Sequence, residues 1–396
     1  MLSRRPKTWY FVLEGLNAFA ASYYFNYLFF HLRDQCGFGA RSNLLVAALH
    51  GLVYMIFAWI SGRFAQRRGY FAALRVGFAG MGLPLVLGSF FPESAAVQVA
   101  VLGVWTWGMS FTWPALEALA SEGESPGALP HMIGIYNVVW AGGGAVAFLL
   151  GGAVFQWLGT PSLYWLPAAL HALQLGLLAG LAGPAQAIPH PSPAPPPATE
   201  HHPEAVAYRQ PVRPETFLKM AWWANPFAYV AMNTLQPIIP SLAQRLELST
   251  AASGVFASVW LFARLGTFAL LWKWTGWHYR FRWLAASLLL LIVSFTTLLL
   301  VERVWWLVLA QVAFGLAVGL IYYSSLFYSM DVGETKGEHG GLHEAAIGVG
   351  IFLGPTVGSA ALHLMPGQPY ANVCAVGGLL VVGLVGLVWL RSSKRG

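Results

Sequence analysis

The sequence predicts an all-α integral membrane protein whose twelve transmembrane helices form two pseudo-symmetric six-helix halves. Of its 396 residues, 57% are hydrophobic and only 9% are charged. A soluble protein carries about a quarter of its residues as charged side chains. Apolar runs of about 20 residues, the length that lets a helix cross the hydrocarbon of a bilayer, recur twelve times along the chain. We therefore expect a lipid bilayer to surround the protein along its whole length.

The apolar runs fall into two groups of six. They lie near 9–31, 43–61, 70–91, 95–120, 131–153 and 161–182, and then near 216–240, 250–272, 282–301, 303–330, 341–363 and 370–391. The stretch between the groups, 183–214, holds ten of the 24 prolines. Proline cannot continue a helix and favours extended backbone. We therefore expect a semi-rigid cytoplasmic linker between an N-terminal half, 1–182, and a C-terminal half, 215–396.

The distribution of positive charge sets the expected orientation. With both termini inside, Arg33, Arg41, Arg245 and Arg303 are the only Lys or Arg residues, of 22 in total, that fall in outside loops. Cytoplasmic loops of membrane proteins are enriched in Lys and Arg. The net charge of +7 therefore follows from insertion and does not indicate a nucleic-acid partner.

A short polar hinge joins the second and third apolar runs. It reads Gly62-Arg-Phe-Ala-Gln-Arg67-Arg-Gly69, followed by Tyr70. Glycine permits the tight turn that a chain needs when it re-enters the membrane at once. The hinge resembles the loop between helices 2 and 3 of the major facilitator superfamily, with Gly62, Arg67 and Gly69 at matching positions. Gln66 stands where that family has an acidic residue.

The end of the fourth run extends this resemblance. Gly108 and Pro114 precede Glu117 with a spacing similar to the family's. In the family, an acid at this position pairs with basic residues of the hinge and closes a cytoplasmic gate. The alternative is a carboxylate that reaches interfacial water. The resemblance implies a gate formed by Gly62, Arg67, Arg68, Gly69 and Glu117.

An internal repeat is the next expectation, since many transporters are built from related halves. A shift of 207 residues pairs Gly69 with Gly276, Arg75 with Arg282, Asn26 with Asn233, Gly108 with Gly315, Gly143 with Gly350 and Gly151 with Gly358. Small residues let membrane helices approach closely. We expect the last two glycine pairs to supply close-packed surfaces near the interface of the halves.

Arg264 is the Lys or Arg residue that lies nearest the middle of a predicted span. An arginine in the membrane is costly unless it faces water or a partner. Its planar donor fork suits an anionic or hydroxyl-rich solute, and a purely structural arginine is the alternative. Uncharged polar and aromatic residues occur where the family lines its central cavity. The candidate cavity residues are Asn17, Tyr24, Trp140, Asn225, Tyr229, Asn233, Gln236, Arg264, Tyr322 and Tyr323.

Three acids fall inside the predicted spans: Glu14, Glu117 and Glu344. Proton-driven members of the family need a buried carboxylate that water reaches from each side in turn. Glu14 and Glu344 are the candidates for proton coupling. We favour Glu14, because it lies on one helical stripe with Asn17 and Tyr24.

Several kinds of site find no support in the sequence. Histidines, carboxylates and cysteines do not occur with metal-ligand spacing. Phosphate-binding and dinucleotide-binding loops are missing, so we expect neither a metal nor a cofactor. Two cysteines, Cys36 and Cys374, exclude a disulfide scaffold. Both are expected outside, and whether they form a disulfide stays open.

The resemblance implies a secondary transporter of a small organic solute that works by alternating access in the bacterial cytoplasmic membrane. A proton gradient is the expected driving force, and a monomer is the expected state. Export of amphipathic compounds is the alternative within transport. A lipid-modifying membrane enzyme, which would use His339, His343 and Glu344, and a receptor on the same fold are more remote alternatives.

Labelling of single cysteines tests the orientation. A cysteine that replaces Arg67 or Pro195 should resist an impermeant thiol reagent in intact cells and react after the membrane is opened, because both positions are predicted to be cytoplasmic. Cys36 and Cys374 must first be replaced by serine. Labelling of either position from outside would reverse the topology.

Overall fold

A computed structural model describes residues 5–124, 129–186, 213–332 and 336–392, and these ranges are helical with no strand. The first half contains α1 (Arg5–Cys36), α2 (Ala40–Arg68), α3 (Tyr70–Gly88), α4 (Ala95–Ser110), α5 (Trp113–Ser121), α6 (Leu129–Leu158) and α7 (Thr160–Gln186). The second contains α8 (Pro214–Leu235), a 3₁₀ turn (Gln236–Ile238), α9 (Ile239–Arg245), α10 (Thr250–Lys273), α11 (Phe281–Leu300), α12 (Val304–Asp331), α13 (Lys336–Leu364) and α14 (Ala371–Ser392).

These helices make twelve spans, because two spans are interrupted. The fourth span is divided into α4 and α5 just before Pro114. The seventh is divided into α8, the 3₁₀ turn and α9, where Pro237 and Pro240 occur. Proline removes a helical hydrogen bond and clashes with the preceding turn. The predicted fold class, an all-α membrane protein of twelve spans in two halves, is confirmed.

The two spans with the most polar interior are α1 and the α8 region. By length and composition alone, ten helical segments of the described chain could cross a membrane, and α1 and α8 are not among them. Buried polar residues such as Asn17 and Asn26 on α1, and Asn225 and Asn233 on α8, account for the lower hydropathy. α1 and α8, which the internal repeat pairs with each other, thus share this lower hydropathy.

The two halves meet along two extensive helix pairs, α2 with α13 and α6 with α10. Glycines allow the backbones to touch. A Cβ built on Gly51 of α2 would lie 2.3 Å from the backbone nitrogen of Phe352 in α13, and one on Gly348 would lie 2.5 Å from Cα of Met55. On the other pair, a Cβ on Gly152 would lie 2.4 Å from the carbonyl oxygen of Thr250. The interface therefore excludes side chains at these positions.

The glycines that were expected near this interface lie mostly elsewhere. A Cβ on Gly143 would lie 2.8 Å from a backbone oxygen of α1, and one on Gly350 would lie 2.2 Å from a backbone oxygen of α8. Both contacts lie inside one half, and Gly151 also packs on α1. Gly358 faces α2 across the interface. The Gly143 and Gly350 contacts are equivalent in the two halves, as the internal repeat predicts.

The two halves differ at the hinge. Gly69 turns the chain directly from α2 to α3 with φ of 89°, and its N–H donates to the carbonyl of Ala65. The equivalent connection spans residues 274–280, where Tyr279 has φ of 52° and Gly276 has no left-handed conformation. The repeat thus extends to the helices and not to the geometry of this turn.

The predicted linker, 183–214, lies almost entirely outside the described residues, since α7 ends at Gln186 and the description resumes at Arg213. The side chains of His339 and His343 also lie outside the described part.

Both cysteines are free thiols. Cys36, at the end of α1, directs its Sγ to the carbonyl oxygen of Glu93 at 3.7 Å. Cys374 is exposed on the first turn of α14. The structure therefore contains no disulfide between them.

Substitution of Gly51 tests the close contact of α2 and α13. Gly51→Ala should lower the melting temperature of the detergent-solubilised protein, because overpacking against backbone costs about 1–3 kcal/mol. Gly378→Ala is the matched control: it lies on a helix with nothing within 4 Å of an added Cβ, and alanine favours helix by about 0.5–1 kcal/mol. Equal melting temperatures for the two variants would contradict the contact.

Candidate functional site

A cavity of about 180 Å³, here called the central cavity, lies between the two halves. Both halves contribute to it, and its walls combine aromatic side chains with a few polar groups. The aromatic and polar lining residues are Ser22, Phe25, His50, Tyr54, Trp105, Trp113, Tyr136, Trp140, Phe148, Tyr229, Asn233, Gln236, Trp260, Arg264, Tyr322 and Glu344.

Most of the predicted cavity residues from the second half line this cavity. The structure places six members of the predicted set in its wall, together with the predicted proton-coupling residue Glu344. The six are Trp140, Tyr229, Asn233, Gln236, Arg264 and Tyr322. The seventh span reaches the cavity near its break, where Gln236 begins the 3₁₀ turn.

The predicted residues of α1 face a different direction. The cavity is lined by the helical face Ala18, Ala21, Ser22 and Phe25. Asn17 instead donates from Nδ2 to Oγ1 of Thr112 at 3.3 Å. Tyr24 packs on Trp105, with ring centroids 4.9 Å apart. Both side chains therefore pack within the first half and do not line the cavity.

Two predicted residues of the second half are also buried away from the cavity. Asn225 is 1% exposed, and its amide atoms find no hydrogen-bond partner in the described part of the chain. Tyr323 packs on Phe268 and Trp277, with ring centroids 5.9 and 5.8 Å apart. Tyr322 and Tyr323 point in different directions because adjacent residues on a helix are rotated by about 100°.

Arg264 provides the cation of the central cavity. Its side chain is 7% exposed, and its guanidinium lies 4.5 Å from the ring centre of Trp140 and 5.1 Å from that of Trp260. Nη1 donates to Sδ of Met232 at 3.6 Å, which is a weak acceptor. Nε has no hydrogen-bond partner within the described ranges. The guanidinium is thus held by aromatic rings, and no carboxylate of the described residues pairs with it.

Glu344 connects the two halves directly. Tyr54 of α2 donates its hydroxyl to Oε2 of Glu344 on α13, with an O···O distance of 2.5 Å. Both residues are buried. A hydrogen bond to an ionised carboxylate is roughly twice as strong as one between neutral groups. The bond therefore joins the halves through a group that can gain or lose a proton.

The three acids of the spans carry charges that influence one another. Glu14 and Glu117 each interact electrostatically with Glu344, and Tyr136 and Tyr322 lie within reach of all three. Glu14 is 1% exposed, and neither of its oxygens has a hydrogen-bond partner among the described residues. It lies one turn before Ala18 and thus continues the cavity-facing side of α1 without lining the cavity. The arrangement gathers like charges, and protonation would relieve their repulsion.

The predicted gate is not assembled in this structure. Gly69 forms the expected turn, and Gly62 lies within α2. Arg67 and Arg68 are exposed. Among the residues described, neither arginine forms an ion pair with Glu117. Lys7 instead pairs with Glu124 and donates to the carbonyl of Ala120, which ties the start of α1 to the end of α5.

Several cavity residues were absent from the sequence prediction. His50, whose Nδ1 lies 2.8 Å from Oγ1 of Thr106, and Tyr54 are one turn apart on α2. Tyr136 and Trp260 each precede a predicted residue, Trp140 and Arg264, by four positions. Helical neighbours at that spacing share a face. The spacing could therefore have revealed Tyr136 and Trp260, whereas nothing in the sequence singled out α2.

The central cavity has the character of a small-molecule binding site. Histidine, cysteine, aspartate and glutamate side chains form no group of three that could hold a metal within the described ranges. A concave, aromatic pocket with a few polar groups is typical of small-molecule sites. The cavity between halves can therefore hold a solute, and its acids can hold protons.

Comparisons with known proteins agree with this architecture. A profile of the Major Facilitator Superfamily matches residues 10–333, and a search of curated proteins finds no significant match. The chain resembles the crystal structure of the human organic anion transporter MFSD10 (TETRAN), with TM-score 0.67, 15% identity, and coverage of 98% of this chain and 100% of that one. It also resembles a mutant of the nucleoside transporter NupG, with TM-score 0.70, 13% identity, and coverage of 97% of this chain and 99% of that one.

At these identities the likeness to the two solved structures shows a shared fold. Because the family profile spans most of its length, the chain belongs to the major facilitator superfamily of membrane transporters.

Proposed function

We propose that the protein is a proton-coupled secondary transporter that moves a small organic solute by alternating access across the bacterial cytoplasmic membrane. The observation that carries this proposal is the central cavity. It holds a buried arginine that has no acidic partner among the described residues and a carboxylate that bonds across the halves. The first supports a solute site and the second supports coupling.

The solute site is proposed at the junction of the halves. Transporters of this class bind their substrates at the interface of the two repeats, near the middle of the membrane. Arg264 and Trp260 come from α10, Trp140 comes from α6, and these helices form one of the two pairs that cross between halves. A solute that contacts them bridges both halves. Movement of one half against the other would therefore change its exposure.

Coupling is proposed to use the Tyr54–Glu344 hydrogen bond. While Glu344 is ionised, the tyrosine donates to a full negative charge and holds α2 against α13. Protonation of Glu344 removes that charge, which weakens the bond. It also removes repulsion from Glu14 and Glu117. Proton binding would thus favour separation of α2 and α13.

Glu344 is the first candidate for the coupling residue, and Glu14 is the second. Glu344 lines the cavity and bonds to the opposite half, whereas Glu14 is buried beside the cavity on α1. Glu14 interacts electrostatically with both other acids. We propose it as a site that exchanges its proton with Glu344 as the halves move.

The gate residues belong to another conformation in this proposal. Three hydrogen bonds join the halves at the end of the bundle opposite the hinge: Arg33 to the carbonyl of Pro240, Asn43 to that of Pro237, and Ser359 to that of Arg41. We propose that this end is outside and closed here. Glu117 would pair with Arg67 or Arg68 when the outer end opens and the hinge end closes.

Reconstitution tests the function. The purified protein in liposomes should accumulate one member of a panel of labelled organic acids, sugars, amino acids and nucleosides when a pH gradient is imposed. A protonophore should abolish that accumulation. Lack of any gradient-dependent movement, or accumulation that survives the protonophore, would contradict proton-coupled transport.

Neutralisation of the acids tests the coupling. Glu344→Gln should reduce accumulation driven by the pH gradient to the level seen without a gradient, while exchange of labelled for unlabelled solute continues. Glutamine keeps the shape of the side chain but cannot carry a proton. Glu14→Gln should show the same separation of effects if it shares the proton.

Glu302→Gln serves as the matched control, since Glu302 lies outside the cavity and pairs at 4.0 Å with Arg245. It should accumulate solute like the parent protein. If Glu344→Gln still concentrates solute against its gradient, Glu344 is not the coupling residue. If neither glutamate variant loses accumulation, coupling does not use these acids.

A further inference from the structure

We propose that the solute is a small organic monoanion, a carboxylate attached to a single six-membered ring, with its carboxylate on Arg264 and its ring between the aromatic side chains of the central cavity. This inference rests on the proposed function, because it names the substrate of that same site. The charge of the site, the direction of approach, the aromatic surroundings, the volume and the placement of the acids each support it.

Arg264 gives the site a positive charge. A buried charge is costly unless it is paired and hydrogen-bonded. Arg264 is 7% exposed and finds only a thioether and two indole rings in the described structure. Cation–π contacts with the two indole rings offset only part of the cost of burying this charge. A bound anion would provide the missing counter-charge.

The contacts of Arg264 limit the directions from which a ligand can approach it. Trp140 and Trp260 lie on the guanidinium at 4.5 and 5.1 Å from its central carbon. The centre of the guanidinium is therefore in contact with two indole rings, and its unpaired N–H groups remain for a ligand. Nε of Arg264 and Nε1 of Trp260 are both buried without a partner in the described ranges. An acceptor with two coplanar oxygens, such as a carboxylate, fits the fork of Arg264.

Aromatic side chains surround the space that the rest of the solute, beyond its carboxylate, would occupy. Trp140 packs edge-on against Tyr322, with centroids 5.3 Å apart, and Tyr229 lies 6.3 Å from Tyr322. These residues line the same cavity as Arg264. Aromatic pairs favour stacked or edge-to-face geometry. A flat ring attached to the carboxylate would gain such contacts, and a branched polyol would not.

The volume of the cavity indicates the size of the solute. The cavity measures about 180 Å³, and an apolar cavity of about 150 Å³ holds benzene. A single ring with one carboxylate is therefore of suitable size, and we expect a second fused ring to fit less well.

The placement of Glu344 bears on the number of negative charges that the solute can carry. Tyr229 and Tyr322 line the same cavity as Arg264 and Glu344. The cavity therefore has a cation and a carboxylate in one wall. A second negative charge on the solute would approach Glu344, where like charges repel. The cavity thus favours a monoanion, and transport with one proton would then carry no net charge.

Equilibrium binding to the purified protein in detergent tests this inference directly. Calorimetry should show that benzoate binds, while benzamide, its uncharged counterpart, binds about 10- to 150-fold more weakly. That range corresponds to the loss of one charged hydrogen-bonded contact, about 1.5–3 kcal/mol. Terephthalate, a dianion with one ring, and 2-naphthoate, a monoanion with two rings, should each bind at least 10-fold more weakly than benzoate.

Two pairs of variants assign the contacts. Arg264→Lys should weaken benzoate about 10-fold or more, because lysine keeps the charge and loses the donor fork, and should leave benzamide unchanged. Arg282→Gln removes an exposed arginine outside the cavity and should bind benzoate like the parent. Trp140→Leu should weaken benzoate and benzamide alike, whereas Trp306→Leu, at a 58% exposed position, should affect neither. Melting temperatures confirm that each variant is folded.

The outcomes separate this inference from the proposed function. Benzoate that binds no more tightly than benzamide, or binds Arg264→Lys and the parent equally, overturns the inference. Failure to bind benzoate, in a protein that accumulates another solute in liposomes, overturns it while proton-coupled transport stands. Arg264-dependent binding of benzoate without gradient-driven accumulation supports the inference and contradicts the proposed function.

Discussion

The close contact of α2 with α13 is the constraint on which the rest of the site depends. Gly51 and Gly348 bring the two backbones together where a methyl group would overlap backbone atoms. The helices run in opposite directions, so that Tyr54, three residues after Gly51, reaches Glu344, four residues before Gly348. Without that approach the tyrosine and the carboxylate could not bond across the halves, and the cavity would have no wall on this side.

A second constraint is the cost of polar groups in an apolar interior. Most membrane helices limit it by being largely apolar, as the ten segments with sufficient hydropathy are. Buried polar groups nevertheless remain, among them Glu14 on α1, Asn225 on α8 and Arg264 on α10, each with atoms that find no partner in the described structure. Such groups destabilise a bundle that has only to stay folded. Arg264 lines the central cavity and Glu14 lies beside it, whereas Asn225 is buried away from it.

The separation of charge inside the cavity gives the two proposed tasks different places. Arg264 lies among indole rings contributed by α6 and α10, while Glu344 lines the same cavity from α13. Tyr229 and Tyr322 line the cavity with both of them. A solute on the cation and a proton on the carboxylate would therefore influence each other within one cavity. The two helix pairs that cross between halves each contain one of the two sites.

Apolar run length, the prolines and the scarcity of charge were sufficient to predict twelve spans in two halves, because hydrocarbon requires every backbone group to be bonded within its own helix. Arg264 and Glu344 could also be found from the sequence, since a charge in a membrane span always needs an explanation. Which face of α1 lines the cavity could not be predicted: Asn17 and Tyr24 pack inside the first half, and small residues, Ala18 and Ala21, face the solute space. Polarity marks a buried position but does not say which neighbour satisfies it. The bond between Tyr54 and Glu344 joins residues 290 positions apart, and only the packing of α2 on α13 decides that they meet.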